Sequence, residues 1–473
     1  MSTNQENAFK PSLSLVDATM IVAGSMIGSG IFIVSAEVAR SMGSAGWMMA
    51  MWVLAGVVTL IAALSYGELS GMFPKAGGQY VYLREAYNPF IAFLFGWTQF
   101  GVIQTGTIAA VAMAFAKYVG YLAPELGEGN VLFSIGVFKL SVAQLVAIAS
   151  IIVLTYINTK GVKNGKIIQT VFTFTKLFSL FGLIIFGLLV GAKAEIWNAN
   201  WANAWNSASL QMSDNGEVMA TALTSLAFFG AIAVSMKGTL FSSDAWNNVT
   251  FIAGEIRNPQ KNIGRALFLG TFIVTIIYVA ANLMYLAVLP FNEIAFAAQD
   301  RVGVAAAERI FGVGIGAVTI AVMIIISTFG CNNGLILSGA RIYYTMAKDG
   351  LFFKKAGDLN QFNVPGYGLW VQCIWASLLC LSGRYNDLLA MVIFGVLVFY
   401  VITILGIFVL RRTRPEIPRS YKAFGYPVLP ALYVLIASAL ALLLLKYEWQ
   451  YAIPGLGIIL LGIPLYFIAL RRK

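Results

Sequence analysis

The sequence predicts an all-α polytopic membrane protein of twelve transmembrane helices. They form two five-helix repeats followed by two further helices, with helices 1 and 6 unwound at mid-membrane. Three observations carry this. Of 473 residues, 59% are hydrophobic and 11% charged, at a mean hydropathy of +0.81, where soluble domains carry about a quarter charged residues. Twelve apolar stretches are long enough to cross a bilayer. Two of them, the first and the sixth, are interrupted near their middles by residues that weaken a helix.

The stretches run near 15–39, 45–72, 88–120, 140–159, 164–192, 217–254, 263–289, 313–346, 367–382, 385–409, 427–445 and 452–470; the ninth is short. The polar residues 1–13 read as a tail on the inner side, with no cleavable leader, so the first stretch is expected to remain a span. Residues 14–193 form the expected first repeat and 194–410 the second, with an external loop at 290–312. Residues 411–473 hold a basic inner loop and the last two spans. The repeat is inferred from breaks five spans apart.

The 31 lysines and arginines sort by side. Arg40, Lys117, Lys139, Lys193, Arg301, Arg309, Arg384 and Lys446 fall outside, Lys176 and Lys237 within spans, and the others on the inner side. Both termini are therefore placed inside. This also accounts for the net charge of +11 without nucleic acid. Three cysteines in apolar or near-apolar stretches imply no disulfide framework. Residues 194–216, with Trp197, Trp201 and Trp205, suit an interfacial loop, and Phe291–Phe311 an amphipathic external hairpin or a solvated loop.

The first break reads GSMIGSGIF over Gly24–Phe32. Glycine costs a helix interior about 1 kcal/mol against alanine, and irregular backbone at membrane depth is tolerated only where it lines a cavity. A half-helix starting at Ser29-Gly30 offers unpaired N–H groups and the positive end of its dipole, which suit a carboxylate. Half-helices ending near Ser25-Met26 and near Phe241–Ser243 offer carbonyls, which suit an ammonium. A zwitterion with both groups on one carbon satisfies both ends, which points to an α-amino acid. Small-residue helix packing is the competing account of GSMIGSG. The second break, Phe241-Ser242-Ser243-Asp244-Ala245-Trp246-Asn247-Asn248, favours a site.

Three charged residues within the apolar stretches bear on the two breaks. Lys176 in the fifth span must face protein or water; it is expected beside the carbonyls near Gly28, or else to snorkel to the inner face. Lys237 and Asp244, seven residues apart, either pair to hold the broken sixth span, or Asp244 faces substrate. With no histidine in the chain, any proton coupling falls to lysine, aspartate or glutamate, Lys176 foremost. Glu68, Arg84 and Glu85 read as an inner gate or as solvated surface.

These residues carry a resemblance. GSMIGSGIF and SYGELSGMFPKAGGQYVYLREAYNP (Ser65–Pro89) resemble the first two helix signatures of the amino acid–polyamine–organocation superfamily. FSSDAWNNVTFIAGEIRNPQKNI (Phe241–Ile263), SGARIYYTMAKDG (Ser338–Gly350) and RPEIPRSYKAFGYP (Arg414–Pro427) narrow it towards the L-type amino-acid transporter family. The resemblance implies a LeuT-like five-plus-five inverted repeat plus two helices, with alternating access around a central amino-acid site. Substrate contacts carried over are Ser25, Met26, Ile27, Gly28, Ser29 and Gly30, with Phe241, Ser242, Ser243 and Asp244. The carboxylate would meet the amides of Ser29 and Gly30. The amino group would meet carbonyls of Ser25, Met26, Phe241, Ser242 and Asp244. Phe241 would be a gate, and Lys176, Asp244 and Lys237 coupling or gating residues. Members are typically sodium-independent, often exchangers, and some bacterial ones couple to protons. Asp244 has counterparts in cationic and in neutral carriers. Gly120–Phe138 has no cysteine, so the disulfide-linked heavy chain of animal members is excluded, and a monomer in a bacterial inner membrane is expected.

The leading expectation is a sodium-independent exchanger of neutral L-amino acids; a proton-coupled or cationic amino-acid carrier is the alternative, and a non-transporting sensor the reading from another class. An enzyme is excluded by the lack of histidine, metal-ligand cluster or phosphate loop; GVKNGK (Gly161–Lys166) has neither the spacing nor the hydroxyl. No cofactor or metal is expected. A channel would need a ring of like groups around a symmetric pore. Asn248-Val249-Thr250 is discounted as a glycosylation site because it lies on the inner side of a span.

Overall fold

The computed structural model describes residues 11–135, 138–312, 314–382 and 385–471; side chains at 135, 138, 162–170, 382, 385–387 and 470–471 fall outside the description, as do Lys10, Arg384, Arg472 and Lys473. Helix dominates, as the composition requires. Chain entry is set by a capping box: Ser14 N–H donates to Asp17 Oδ2 (2.9 Å) and Asp17 N–H to Ser14 Oγ (3.2 Å), which satisfies two otherwise orphaned amides.

The first span is broken into α1 (Leu15–Met26) and α2 (Gly30–Met42), bent by 42°. Gly43 closes α2 in the left-handed conformation, φ 73°, where glycine carries no Cβ penalty. It reverses the chain into α3 (Ala45–Met72), the second span. A short α4 (Gln79–Ala86) lies before α5 (Pro89–Leu122), which contains a π-helical turn at Gln99–Ile103. Then follow the hairpin β1 (Val131–Ile135) and β2 (Phe138–Ser141), α6 (Val142–Thr159) and α7 (Val162–Phe186).

The stretch expected as an interfacial loop folds instead into α8 (Ala194–Trp201) and strand β3 (Ala208–Met212), which pairs with β4 (Val218–Ala222). The sixth span therefore begins at Ser225, as α9 (Ser225–Ser242), and not near 217. Gly216 at φ 78° permits the tight turn of this hairpin. Val218 and Thr221 suit a strand, so apolarity alone misplaced the helix start.

The second break is followed by only one turn, α10 (Asn248–Phe251). Then come α11 (Pro259–Val288), the outer helices α12 (Phe291–Ala295) and α13 (Val302–Phe311), and α14 (Ile315–Lys348). The final helices are α15 (Gly366–Ser382), α16 (Tyr385–Thr413), α17 (Val428–Tyr447) and α18 (Trp449–Arg471). Among the described residues, ten helices are long and apolar enough to span; the bent pair adds an eleventh, and Gly366–Leu381 is a shorter apolar helix. Tracing these segments as alternating crossings puts both ends of the described chain on one face, called the N face here.

The breaks sit at the centre, bounded by fully buried large side chains that include Trp52, Trp246, Tyr66, Tyr285 and Lys176. Both faces are tied. On the N face, Ser12 and Leu13 N–H donate to Glu255 O (2.9 Å each), and Arg257 N–H to Leu13 O (2.9 Å). Buried Arg341 pairs with Glu255 (3.0 Å), and Arg84 with Asp349 (2.5 Å). On the other face, Arg40 pairs with Asp300 (2.7 Å).

Candidate functional site

The first break follows directly from its residues. α1 ends at Met26, with Ile27 extended, and α2 starts at Gly30 with Ser29 as N-cap. The freed carbonyls find donors on neighbouring helices. Lys176 Nζ, from α7, donates to Gly24 O and to Ile27 O (2.8 Å). Ser327 Oγ reaches Ile27 O (3.4 Å) and Cys331 Sγ reaches Ser25 O (3.0 Å), both from α14. Tyr278, on α11, places its hydroxyl 3.0 Å from both Met26 O and Ser242 O. This one side chain bridges the carbonyl ends of both broken spans.

The amide side differs. Phe32 N–H reaches Ser29 O (3.0 Å), but the N–H groups of Gly28, Gly30 and Ile31 have no acceptor among the described residues. Ser25 Oγ and Asn248 Oδ1 are likewise buried without a partner. Uncompensated buried polar groups cost free energy, and orphaned N–H groups at a helix start favour an anion.

The second break is shorter than the sequence suggested. Phe241 and Ser242 still belong to α9, because Ser243 N–H turns back to Thr239 O (3.1 Å). Ser243 to Asn247 form the interruption, with Ala245 at φ 64°, a conformation that costs a non-glycine residue about 1–3 kcal/mol. Trp246 packs edge-on to Tyr66 (4.8 Å) and lies 5.1 Å from Tyr400. Asn247 Nδ2 donates to Gln79 Oε1 (3.1 Å). The Tyr400 hydroxyl donates to Asp244 Oδ1 (2.7 Å).

Gly30 joins the two breaks. A Cβ there would overlap the Ser242 side chain and approach its Cα to 3.0 Å, so the start of α2 rests directly on the end of α9. Gly28 is similarly close to Cys331, at 3.2 Å from a built Cβ to Sγ. Two cavities border Asp244, of about 10 and 20 Å³, each with room for about one water. This conformation is closed around the breaks.

Residues 13–461 match the family model of amino acid permeases. The chain belongs to that family. It is an L-type-transporter-like member of the amino acid–polyamine–organocation superfamily, and its relatives span its whole length. It is 30% identical to the serine/threonine exchanger SteT of Bacillus subtilis, over 99% of both chains. It is 29% identical to human b(0,+)-type amino acid transporter 1, over 98% of this chain and 89% of the relative. It is 31% identical to human large neutral amino acids transporter small subunit 2, over 98% and 81%. The permease is a multi-pass membrane protein that transports amino acids and is not an enzyme.

Of the two readings of Lys237 and Asp244, the ion pair does not form in this permease. Lys237 pairs with Glu37 of α2 (3.2 Å) and Glu448 after α17 (3.5 Å), while Asp244 lies beyond the end of α9 with Tyr400. Seven residues align on a helix face only while the helix continues; the break at Ser243 removes that alignment. Phe241, 8% exposed, is buried at the end of α9. Sequence reasoning missed Tyr278, Tyr400 and Cys331, which come from three other spans. An aromatic or thiol inside an apolar run carries no periodic signal that separates a site from a core.

Proposed function

We propose that this permease is a sodium-independent exchanger of neutral L-amino acids working by alternating access. Ser25–Gly30 and Phe241–Asp244 contact substrate in this reading, and Phe241 acts as its gate. The carboxylate meets the amides at Gly28 to Ile31, and the amino group the carbonyls of α1 and α9. The observation that carries the reading is Lys176: a fixed ammonium holds the carbonyls of Gly24 and Ile27, where cation-coupled relatives of this architecture place sodium. SteT, by its name an exchanger of serine and threonine, supports the exchange mode. The two breaks, five spans apart, support reading 14–193 and 194–410 as inverted repeats. The distribution of basic residues supports an inner N face, and the full-length likeness to the Bacillus subtilis exchanger supports a bacterial membrane. All three cysteines are buried, which favours a monomer without the disulfide-linked partner.

The test is uptake of labelled serine into proteoliposomes loaded with one unlabelled amino acid at a time, with and without sodium or a pH gradient. Trans-stimulation by neutral amino acids without either gradient is expected; uptake requiring sodium or protons overturns the reading. The buried carboxylate of Asp244 favours one second reading, a cationic substrate. Asp244→Asn keeps the acceptor for Tyr400 and removes the charge. On that reading it lowers arginine uptake relative to serine by roughly fivefold, the difference between charged and neutral hydrogen bonds; an unchanged ratio assigns Asp244 to structure.

A further inference from the structure

Away from the breaks, the N face carries a groove of about 660 Å³ between α3, α11 and the segment joining α16 to α17. Leu64, Gly264, Phe268, Tyr421 and Phe424 line its apolar part, and Lys261 and Arg265 its end. The groove is built by close backbone approach. A Cβ on Gly264 would touch Gly67 Cα at 3.4 Å, and one on Gly67 would meet the Tyr421 ring at 3.0 Å. Ser420 Oγ donates to Gln260 O (2.8 Å) and pins the joining segment to the start of α11. The wall residue Phe424 is 68% exposed.

Its depth follows from α11 itself. Phe268, Leu269, Phe272 and Ile276 are exposed on this apolar span and therefore face acyl chains. At 1.5 Å rise per residue, Arg265 lies roughly 4.5 Å and Lys261 roughly 10 Å above Phe268, at the level of headgroups. Both cations are exposed, and neither forms an ion pair with a described residue. They lie one turn apart on the side of α11 that meets the groove.

We propose that this groove is a binding site for an anionic phospholipid, with one acyl chain along Leu64, Phe268, Tyr421 and Phe424 and the phosphate between Lys261 and Arg265. The charges and the apolar trough together select this occupant. A zwitterionic phospholipid brings its own cation beside the phosphate and leaves the charge of Lys261 and Arg265 uncompensated, and a free phosphate would leave the trough unused. Bound there, the lipid bridges two spans to the basic segment that follows α16.

The test uses the full chain, purified in neutral detergent and stripped of lipid. It is titrated with phosphatidylglycerol, phosphatidylcholine or inorganic phosphate, with bound lipid read by intact-complex mass spectrometry and stability by thermal unfolding. Phosphatidylglycerol should bind and raise the unfolding temperature more than either alternative. Lys261→Gln with Arg265→Gln should weaken phosphatidylglycerol binding about 30-fold, as expected for two interfacial cations. Lys354→Gln with Lys355→Gln, exposed on the same face outside the groove, should leave it unchanged. Equal binding of phosphatidylcholine overturns the proposal, as does full competition by inorganic phosphate, an equal loss in the Lys354/Lys355 variant, or no loss in the Lys261/Arg265 variant. These readouts involve no transport, so they stand independently of the exchange mode.

Discussion

Lys176→Met removes a buried cation while keeping most of its stem, and its effect can be worked from two bonds. The ammonium donates to Gly24 O and Ile27 O at the end of α1. Hydrogen bonds to charged groups contribute about 1.5–3 kcal/mol each, but burying the ammonium offsets much of that sum. What matters for transport is the difference between this closed conformation and one in which α1 has moved off α7. A net loss of about 1.4–2.8 kcal/mol changes that equilibrium by 10- to 100-fold. Apparent affinity scales with the population competent to bind, so the two faces should change unequally. The assay is exchange in proteoliposomes of defined orientation, with KM measured separately from each side. The ratio of the two KM values should move by about tenfold or more, with the unfolding temperature lowered. A ratio within threefold of wild type, in protein that remains monodisperse, would refute a role for Lys176 in holding α1.

Three further outcomes are expected. Gly30→Ala drives a methyl into Ser242; overpacking of about 1–3 kcal/mol should lower uptake by about fivefold or more, and Ser242→Gly in the same chain should restore part of it. Glu68 is fully buried between Arg411 (2.7 Å) and Arg419 (3.1 Å) and accepts from Ala423 N–H (2.7 Å). Glu68→Gln should therefore destabilise by about 3 kcal/mol, read as a lowered midpoint in thermal unfolding. At the N face, burial raises the Glu85 pKa, but hydrogen bonds from Arg414 and Arg84 outweigh it and hold the carboxyl below its usual range. A depressed folded-state pKa adds stability that is present at neutral pH and lost as pH falls through that lowered value. Wild type should then lose stability on acidification more steeply than Glu85→Gln, measured as unfolding midpoint against pH.

Much of the fold was legible because bilayer-length apolar runs are long signals and a missing helix hydrogen bond needs glycine or a short polar residue nearby. The break at Gly28–Gly30 announced itself in this way. The hairpin at 208–222 did not, since β4 is as apolar as a helix start and only the turn at Gly216 distinguishes it. The second break was read two residues early, because Phe241 and Ser242 look like its beginning while their amides still complete α9. Partners across helices were least legible. Sequence distance offers Asp244 as one partner for Lys237, but its acids lie at positions 37 and 448, which no local pattern connects.

The site is unequal in what it leaves open, and this bears on how an amino acid would enter. Among the described residues, every carbonyl named at the end of α1 lies within reach of a donor from Lys176, Cys331 or Tyr278, whereas the amides of Gly28, Gly30 and Ile31 have no acceptor. A carbonyl oxygen has two lone pairs and an amide has one proton, so the carbonyls can take a second donor without losing the first. The Tyr278 hydroxyl has one proton for two carbonyls at 3.0 Å, so it donates to only one of Met26 O and Ser242 O at a time. An incoming ammonium could donate to the other. On the proposed reading the carboxylate would meet the amides of Gly28, Gly30 and Ile31, unpaired among the described residues, and the ammonium would complete a bridge that Tyr278 leaves half made. Tyr278→Phe would leave both carbonyls open, and substrate would then have to hold the two broken ends together alone.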